Sequence, residues 1–124
     1  MAEAQNALNW FEIPVRDMKR AKKFYETILG IKLQEMEMPG GQYAMWPFAP
    51  GVLGGGLIKA KGYVPSKRGT LVYLNGGTDL NKALKKVSKA GGQVIAEKFS
   101  IGENGFVATF KDSEGNKIAL HSPK

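Results

Sequence analysis

Residues from Trp10 to Val15 alternate as a strand does, with Phe11, Ile13 and Val15 on one side and Trp10, Glu12 and Pro14 on the other. The first side is purely apolar and is expected to meet a helix. That helix follows at once. Met18, Ala21, Tyr25 and Ile28, with Phe24 alongside, recur at helical spacing after Asp17, a good N-cap residue, and Gly30 stands where a C-terminal glycine belongs. Three further strand-like runs, about 31–38, 42–48 and 54–60, are separated by Pro39-Gly40-Gly41 and Ala49-Pro50-Gly51. The order is βαβββ.

The second half repeats it. A strand at 70–75 precedes a helix on which Leu80, Ala83, Leu84, Val87 and Ala90 follow Thr78-Asp79 and stop at Gly91-Gly92; strands at 93–99, 105–110 and 117–122 complete the set. Asp17, Met18, Arg20, Ala21, Lys23, Tyr25 and Gly30 recur 62 residues later, without a gap, as Asp79, Leu80, Lys82, Ala83, Lys85, Val87 and Gly92. Self-similarity at a fixed offset indicates a duplicated unit. The expected fold is α+β: tandem βαβββ modules forming a curved eight-stranded mixed sheet around a cup, helices on the outer face. One domain over 1–124 is expected, with module one at about 7–60, a polar Pro/Gly-bearing linker at 61–69 and module two at about 70–124.

Composition narrows the chemistry. There are no cysteines, which removes thiolate nucleophiles, disulfides and zinc-thiolate sites, and fits a reducing compartment such as the cytoplasm. The N-terminal residues carry an acid and no apolar run, so no secretory signal is expected, and no stretch approaches the roughly 20 apolar residues of a membrane helix. The net charge of +7 favours an anionic partner. Much of that charge lies on the polar faces of the two helices, and aromatics are not interleaved with it as single-strand binding requires, so neither nucleic acid nor a membrane is the expected partner.

The helix pattern Asp-x-x-x-Ala-x-x-Phe-Tyr-x-x-x-Leu-Gly, the segment Trp10 to Asp17 and the run Asp112-Ser113-Glu114-Gly115-Asn116-Lys117-Ile118-Ala119-Leu120-His121 together resemble the vicinal oxygen chelate superfamily. That superfamily includes glyoxalase I, ring-cleaving dioxygenases and bleomycin-resistance proteins, and the chain most resembles its small glyoxalase-related bacterial members. The resemblance implies homodimers, and metal-dependent members hold their ion with His and Glu from the first and last strand of each module. Here the first-strand position is Trp10, with Glu12 two residues on; Gly54 to Ala60 and Thr70 to Asn75 offer no carboxylate or imidazole; and the last-strand position is Ala119, with His121 two beyond. Two of four ligands is a sparse set for a divalent ion. No metal or other cofactor is expected, and metal-dependent glyoxalase I activity is disfavoured.

Candidate site residues follow from strand alternation. Trp10 and Glu12, with Ala119 and His121, share the face opposite the helices. His121, the only histidine, is the candidate general acid or base, with Glu12 to orient it or share its proton. Both faces of the third strand are apolar, so either Tyr43 with Met45, or Trp46, lines the pocket. Gly54-Gly55-Gly56 lacks the following helix and the Lys-Ser/Thr of a phosphate loop, which leaves close strand packing or room for a ligand. Asp112 to Asn116 is too short for an EF-hand and reads as a turn. The resulting expectation is a metal-independent, glyoxalase-like protein that binds a small, partly apolar or aromatic molecule with an anionic group. Any catalysis would be lyase- or isomerase-like proton transfer. The alternatives are a resistance or carrier protein that sequesters its ligand, and a metal-assisted lyase or dioxygenase using Glu12 and His121.

Overall fold

Asp17 caps helix α1 (Met18–Leu29) by accepting from the Arg20 backbone N–H at 3.1 Å, and Gly30 closes it in the left-handed conformation at φ 66°. The computed structural model describes residues 6–124, so the reading of residues 1–5 as free of a signal lies outside the described residues. Strands β1 (Trp10–Pro14), β2 (Gln34–Met38), β3 (Gly41–Met45) and β4 (Gly54–Ala60) form one sheet in the order β1-β4-β3-β2. The second half contributes β5 (Tyr73–Asn75), the short helices α2 (Asn81–Leu84) and α3 (Val87–Ala90), β6 (Gln93–Ser100), β7 (Phe106–Lys111) and β8 (Lys117–Ser122). Its sheet runs β5-β8-β7-β6. In both sheets the first strand pairs parallel with the last and the other pairs are antiparallel. The fold is thus the expected α+β arrangement, its eight strands falling into two mixed sheets of four. No helix among the described residues is long and apolar enough to cross a membrane.

One buried cluster runs through both halves. Ile13, Val15, Phe24, Ile28 and Leu57 join Leu80, Val87, Phe110 and Leu120, and the Phe24 ring lies 5.9 Å from that of Phe110. Each such side chain contributes about 1.5–3 kcal/mol through burial. The apolar side of β1 faces this cluster, so Trp10, Glu12 and Pro14 are left on the opposite, open face.

The second helical segment differs from the single helix expected. It breaks at Lys85-Lys86, where the Lys86 N–H bonds the Ala83 carbonyl three residues back rather than Lys82 four back. Lys82, Lys85, Lys86 and Lys89 stand at mutual spacings of three and four, and like charges at those spacings weaken a helix. In α1, by contrast, Arg20 pairs with Glu114 and Lys22 with Glu35. Lys86→Glu should therefore stabilise the fold by about 0.5 kcal/mol through new pairs with Lys82 and Lys89, read as a higher midpoint in urea; a lower midpoint would remove charge repulsion as the explanation.

The β7–β8 turn does more than reverse the chain. Glu114, 4% exposed, accepts from the backbone N–H groups of Arg16 and Asp17 at 2.8 Å, from Arg20 Nε at 2.7 Å and Nη2 at 3.0 Å, and from the Ser113 hydroxyl at 2.9 Å. Asp112 accepts from the Tyr25 hydroxyl at 2.6 Å and from the backbone N–H groups of Glu114 and Asn116. Asn116 donates to the Pro14 carbonyl and accepts from the Ser66 N–H. A turn of the second half therefore holds the end of β1, the start of α1 and the linker, with no buried side-chain polar atom left unpaired among the described residues.

Candidate functional site

The ladder β1–β4–β3 sets the open face of the first sheet. Trp10 pairs with Gly54, Glu12 with Gly56 and Pro14 with Ile58; Tyr43 and Met45 lie opposite Ile58 and Gly56 on the next strand. Tyr43 and Met45 are thus the open-face pair on β3. Trp46 turns to the helix side, its ring 5.1 Å from Phe11 and 5.5 Å from Tyr25, so its candidate place in the pocket is corrected to one in the core.

The three glycines are explained by the rings above and below them. A Cβ on Gly54 would approach Trp10 and Phe48 at 3.0 and 3.1 Å, while one on Gly55 would collide with the Phe11 ring and one on Gly56 with the Tyr43 ring. Aromatic side chains therefore lie across bare backbone, Phe11 on the core side and Trp10 and Tyr43 on the open side. The Trp10 indole N–H donates to the Tyr43 hydroxyl at 2.7 Å, and Phe48 meets Trp10 edge to face at 5.9 Å. Trp10 remains 37% exposed and Phe48 55%. Burial pushes the Tyr43 hydroxyl pKa up, against the Trp10 hydrogen bond that lowers it, and Glu12 raises it further. At neutral pH Tyr43 keeps its proton and can donate it to a ligand.

On the second sheet Ala119 pairs with Tyr73, and His121 with Asn75 and Val107. Ala119 is buried yet stands outside the core cluster, a small residue flooring the open side. His121 Nε2 lies 2.6 Å from the Asn104 carbonyl. A carbonyl only accepts, so Nε2 is the donor in this contact, and Nδ1 makes no hydrogen bond among the described residues. Among the described residues no hydrogen bond or ion pair joins His121 to Glu12; the expected proton-sharing pair is not made. Glu12 instead borders a small cleft of about 100 Å³ where the two halves meet, with Pro14, Ser66, Arg68, Val72 and Lys117. Two cations thus share that cleft with one carboxylate, a feature the sequence reading missed because Arg68 lies in the linker.

The residues present do not fit the divalent ion that the fold family implies. Leu57 points into the core, which leaves Gly56 and Ile58 on the open side of β4, and the facing positions Trp10, Tyr73 and Ala119 carry no carboxylate or imidazole. Among the described residues no three of His, Cys, Asp and Glu come together as a metal site. A divalent ion of the family's type requires more donors than Glu12 and His121 supply.

The sequence profile of the Glyoxalase/Bleomycin resistance protein/Dioxygenase superfamily matches residues 7–120. The "Putative glyoxylase CFP32" of Mycobacterium tuberculosis is 27% identical over 129 residues, an alignment covering 94% of this chain and 45% of that protein. Glyoxalase I from Zea mays shares the fold with a TM-score of 0.70 at 25% identity, over 94% of this chain and 46% of the maize chain. The chain spans about half the length of each. TnmS3, an antibiotic binding protein from Streptomyces sp. CB03234, aligns over 99% of this chain and 100% of its own with a TM-score of 0.64; at 23% identity the likeness is one of fold. With the profile match running across nearly the whole of two βαβββ sheets, the chain belongs to the Glyoxalase/Bleomycin resistance protein/Dioxygenase superfamily.

Proposed function

We propose that the open face binds a small organic anion with an aromatic or apolar body, without a metal ion. The observation that carries this reading is the Trp10–Tyr43 pair, hydrogen-bonded and laid over Gly54 and Gly56 as a half-exposed aromatic surface. The body of the ligand stacks on Trp10 and Tyr43 and packs on Met45. Its anionic group turns toward Arg68 and Lys117 in the cleft between the sheets. His121, with Nε2 held by the Asn104 carbonyl and Nδ1 free to face the ligand, serves as the base for a proton on the ligand, and Glu12 lies in the cleft between the sheets. The protein works in the cytoplasm as a homodimer, the two modules of each chain forming one domain. A second reading, sequestration without chemistry, is favoured by the exposure of Trp10 and Phe48, and the antibiotic-binding TnmS3 offers a precedent on this fold.

A thermal-shift screen of aromatic carboxylates beside nickel, zinc, iron and manganese tests the assignment, because a ligand of the folded state raises its stability by mass action. Aromatic carboxylates should raise the midpoint, and no metal should remain bound stoichiometrically after dialysis. Tight stoichiometric metal would overturn the metal-free reading. For any ligand that is converted, His121→Ala should lower turnover about a hundredfold while binding persists; unchanged turnover would remove His121 as the base, and recovery of the ligand unaltered from the wild type would establish sequestration.

A further inference from the structure

A second cleft shares no lining residue with the one between the sheets, nor does Trp10, Glu12 or Tyr43 border it. It has a volume of about 470 Å³ and lies at the rim of the first sheet, where the β2–β3 turn, the end of β4 and the start of the linker converge. Its polar side chains are Arg16, Gln42, Lys59, Lys61 and Tyr63, with Val15 and Ala60 as apolar wall. The backbone explains the convergence. The Val15 N–H still bonds the Ile58 carbonyl at 2.8 Å, so β1 delivers Arg16 beside the end of β4, where Lys59 and Lys61 flank Ala60.

None of these three cations makes an ion pair among the described residues, and no carboxylate lines the cleft. Asp17 follows Arg16 in the chain and Glu37 pairs with Gln42 across the hairpin, yet neither borders the cleft. On the β2–β3 side Gly40 and Gly41 leave Gln42 as the lining side chain, and Gly41 could not carry one, since its Cβ would run into the Lys59 carbonyl. Three like charges brought together without an acid repel one another, and an anion relieves that repulsion.

We propose that this cleft binds the phosphate of a small organic phosphate. Charge and donor number favour phosphate over a carboxylate. A carboxylate brings one charge and two oxygens, whereas a phosphomonoester brings two charges and three oxygens for a guanidinium and two ammonium groups on one cleft. The volume exceeds the needs of a bare ion and falls in the range of small-molecule pockets. Tyr63, 45% exposed, offers a ring for the organic part.

The test uses isothermal titration with sodium pyrophosphate and with adenosine monophosphate, at constant ionic strength and with adenosine as the uncharged control. Both phosphates should bind and adenosine should not. The double variant R16Q/K61Q should weaken both by about tenfold or more. K82Q/K89Q removes the same charge from α2 and α3 and should leave both affinities within about twofold, as expected for distant sites. Circular dichroism and the thermal midpoint of each variant confirm that it is folded. Absence of phosphate binding, equal binding by R16Q/K61Q, or an equal loss in K82Q/K89Q would each overturn the proposal. None of these outcomes bears on the Trp10–Tyr43 site, whose test uses aromatic carboxylates.

Discussion

Glu114→Gln is expected to destabilise the protein by about 2–3 kcal/mol, because the carboxylate is buried among charge-assisted hydrogen bonds while the Arg20 side chain it leaves behind is half exposed and regains water. The amide cannot substitute. Every group around the Glu114 carboxylate is a donor, namely the Arg16 and Asp17 N–H groups, the Arg20 guanidinium and the Ser113 hydroxyl. An amide NH₂ placed among them meets donors with a donor, and the Arg20 fork loses its bidentate partner. Urea unfolding followed by tryptophan fluorescence gives the difference in stability. A loss below about 1 kcal/mol, the range of an exposed ion pair, would show that the turn does not hold the two halves together.

The same carboxylate sets how the fold responds to acid. Burial would push its pKa up, but the Arg20 guanidinium, the Asp17 and Arg16 N–H groups and the Ser113 hydroxyl reverse this and hold it at about 2, against an ordinary 4.5. A depressed folded-state value means that the stabilisation is present above the unfolded pKa. It is lost as the pH falls from about 4.5 through about 2, and amounts to about 3 kcal/mol. The wild type should weaken across that window, while Glu114→Gln, with no proton to take up there, should show a flatter profile. A variant as acid-sensitive as the wild type in that window would assign the acid response to other groups.

That turn also shows how much could be read from the chain. Sixty-two residues before Asp112, Glu114 and Asn116 stand Pro50, Val52 and Gly54, with no acid or amide among them. Arg20 and Tyr25 correspond in the second copy to Lys82 and Val87. The duplication therefore diverged at complementary positions: the Tyr25 donor and the guanidinium fork of Arg20 belong to the first helix, and the acceptors to the last turn. The two sets meet as Arg20–Glu114 and Tyr25–Asp112. Complementary divergence between repeats is a signal of contact that a scan for similarity passes over, because it is carried by differences.

Other features divide along physical lines. Strands β4 and β8 were legible to the residue, and α1 with its Asp17 and Gly30 caps as well, because periodicity and capping are local. On β3 both faces are apolar, so alternation separates Tyr43 and Met45 from Trp46 without saying which set meets the helix; packing of Trp46 on Phe11 and Tyr25 decides it. Alternation likewise places Glu12 and His121 on open faces but gives no lateral distance between strands of separate sheets. His121 found a backbone carbonyl at Asn104, in a turn whose position depends on tertiary structure.

The neighbouring glycines Gly55 and Gly56 should separate stability from binding. Gly55→Ala drives a methyl into the Phe11 ring, which is partly buried against Trp46 and the core; overpacking of this kind costs about 1–3 kcal/mol. Gly56→Ala drives the same methyl into the Tyr43 ring, which lies on the open face and can swing toward solvent. Its stability cost should stay near the roughly 1 kcal/mol of the Trp10–Tyr43 hydrogen bond that is given up. Its effect falls on the ligand: with Tyr43 displaced, the stacking surface and the hydroxyl donor are both lost, and affinity for an aromatic carboxylate should drop by about tenfold or more. Gly55→Ala, once its fraction folded is accounted for, should bind normally. Paired urea and calorimetric titrations of the two variants measure both quantities. If Gly56→Ala binds as the wild type does, Tyr43 is not part of the binding surface; if Gly55→Ala is as stable as the wild type, the Phe11 ring is not locked in place by the core.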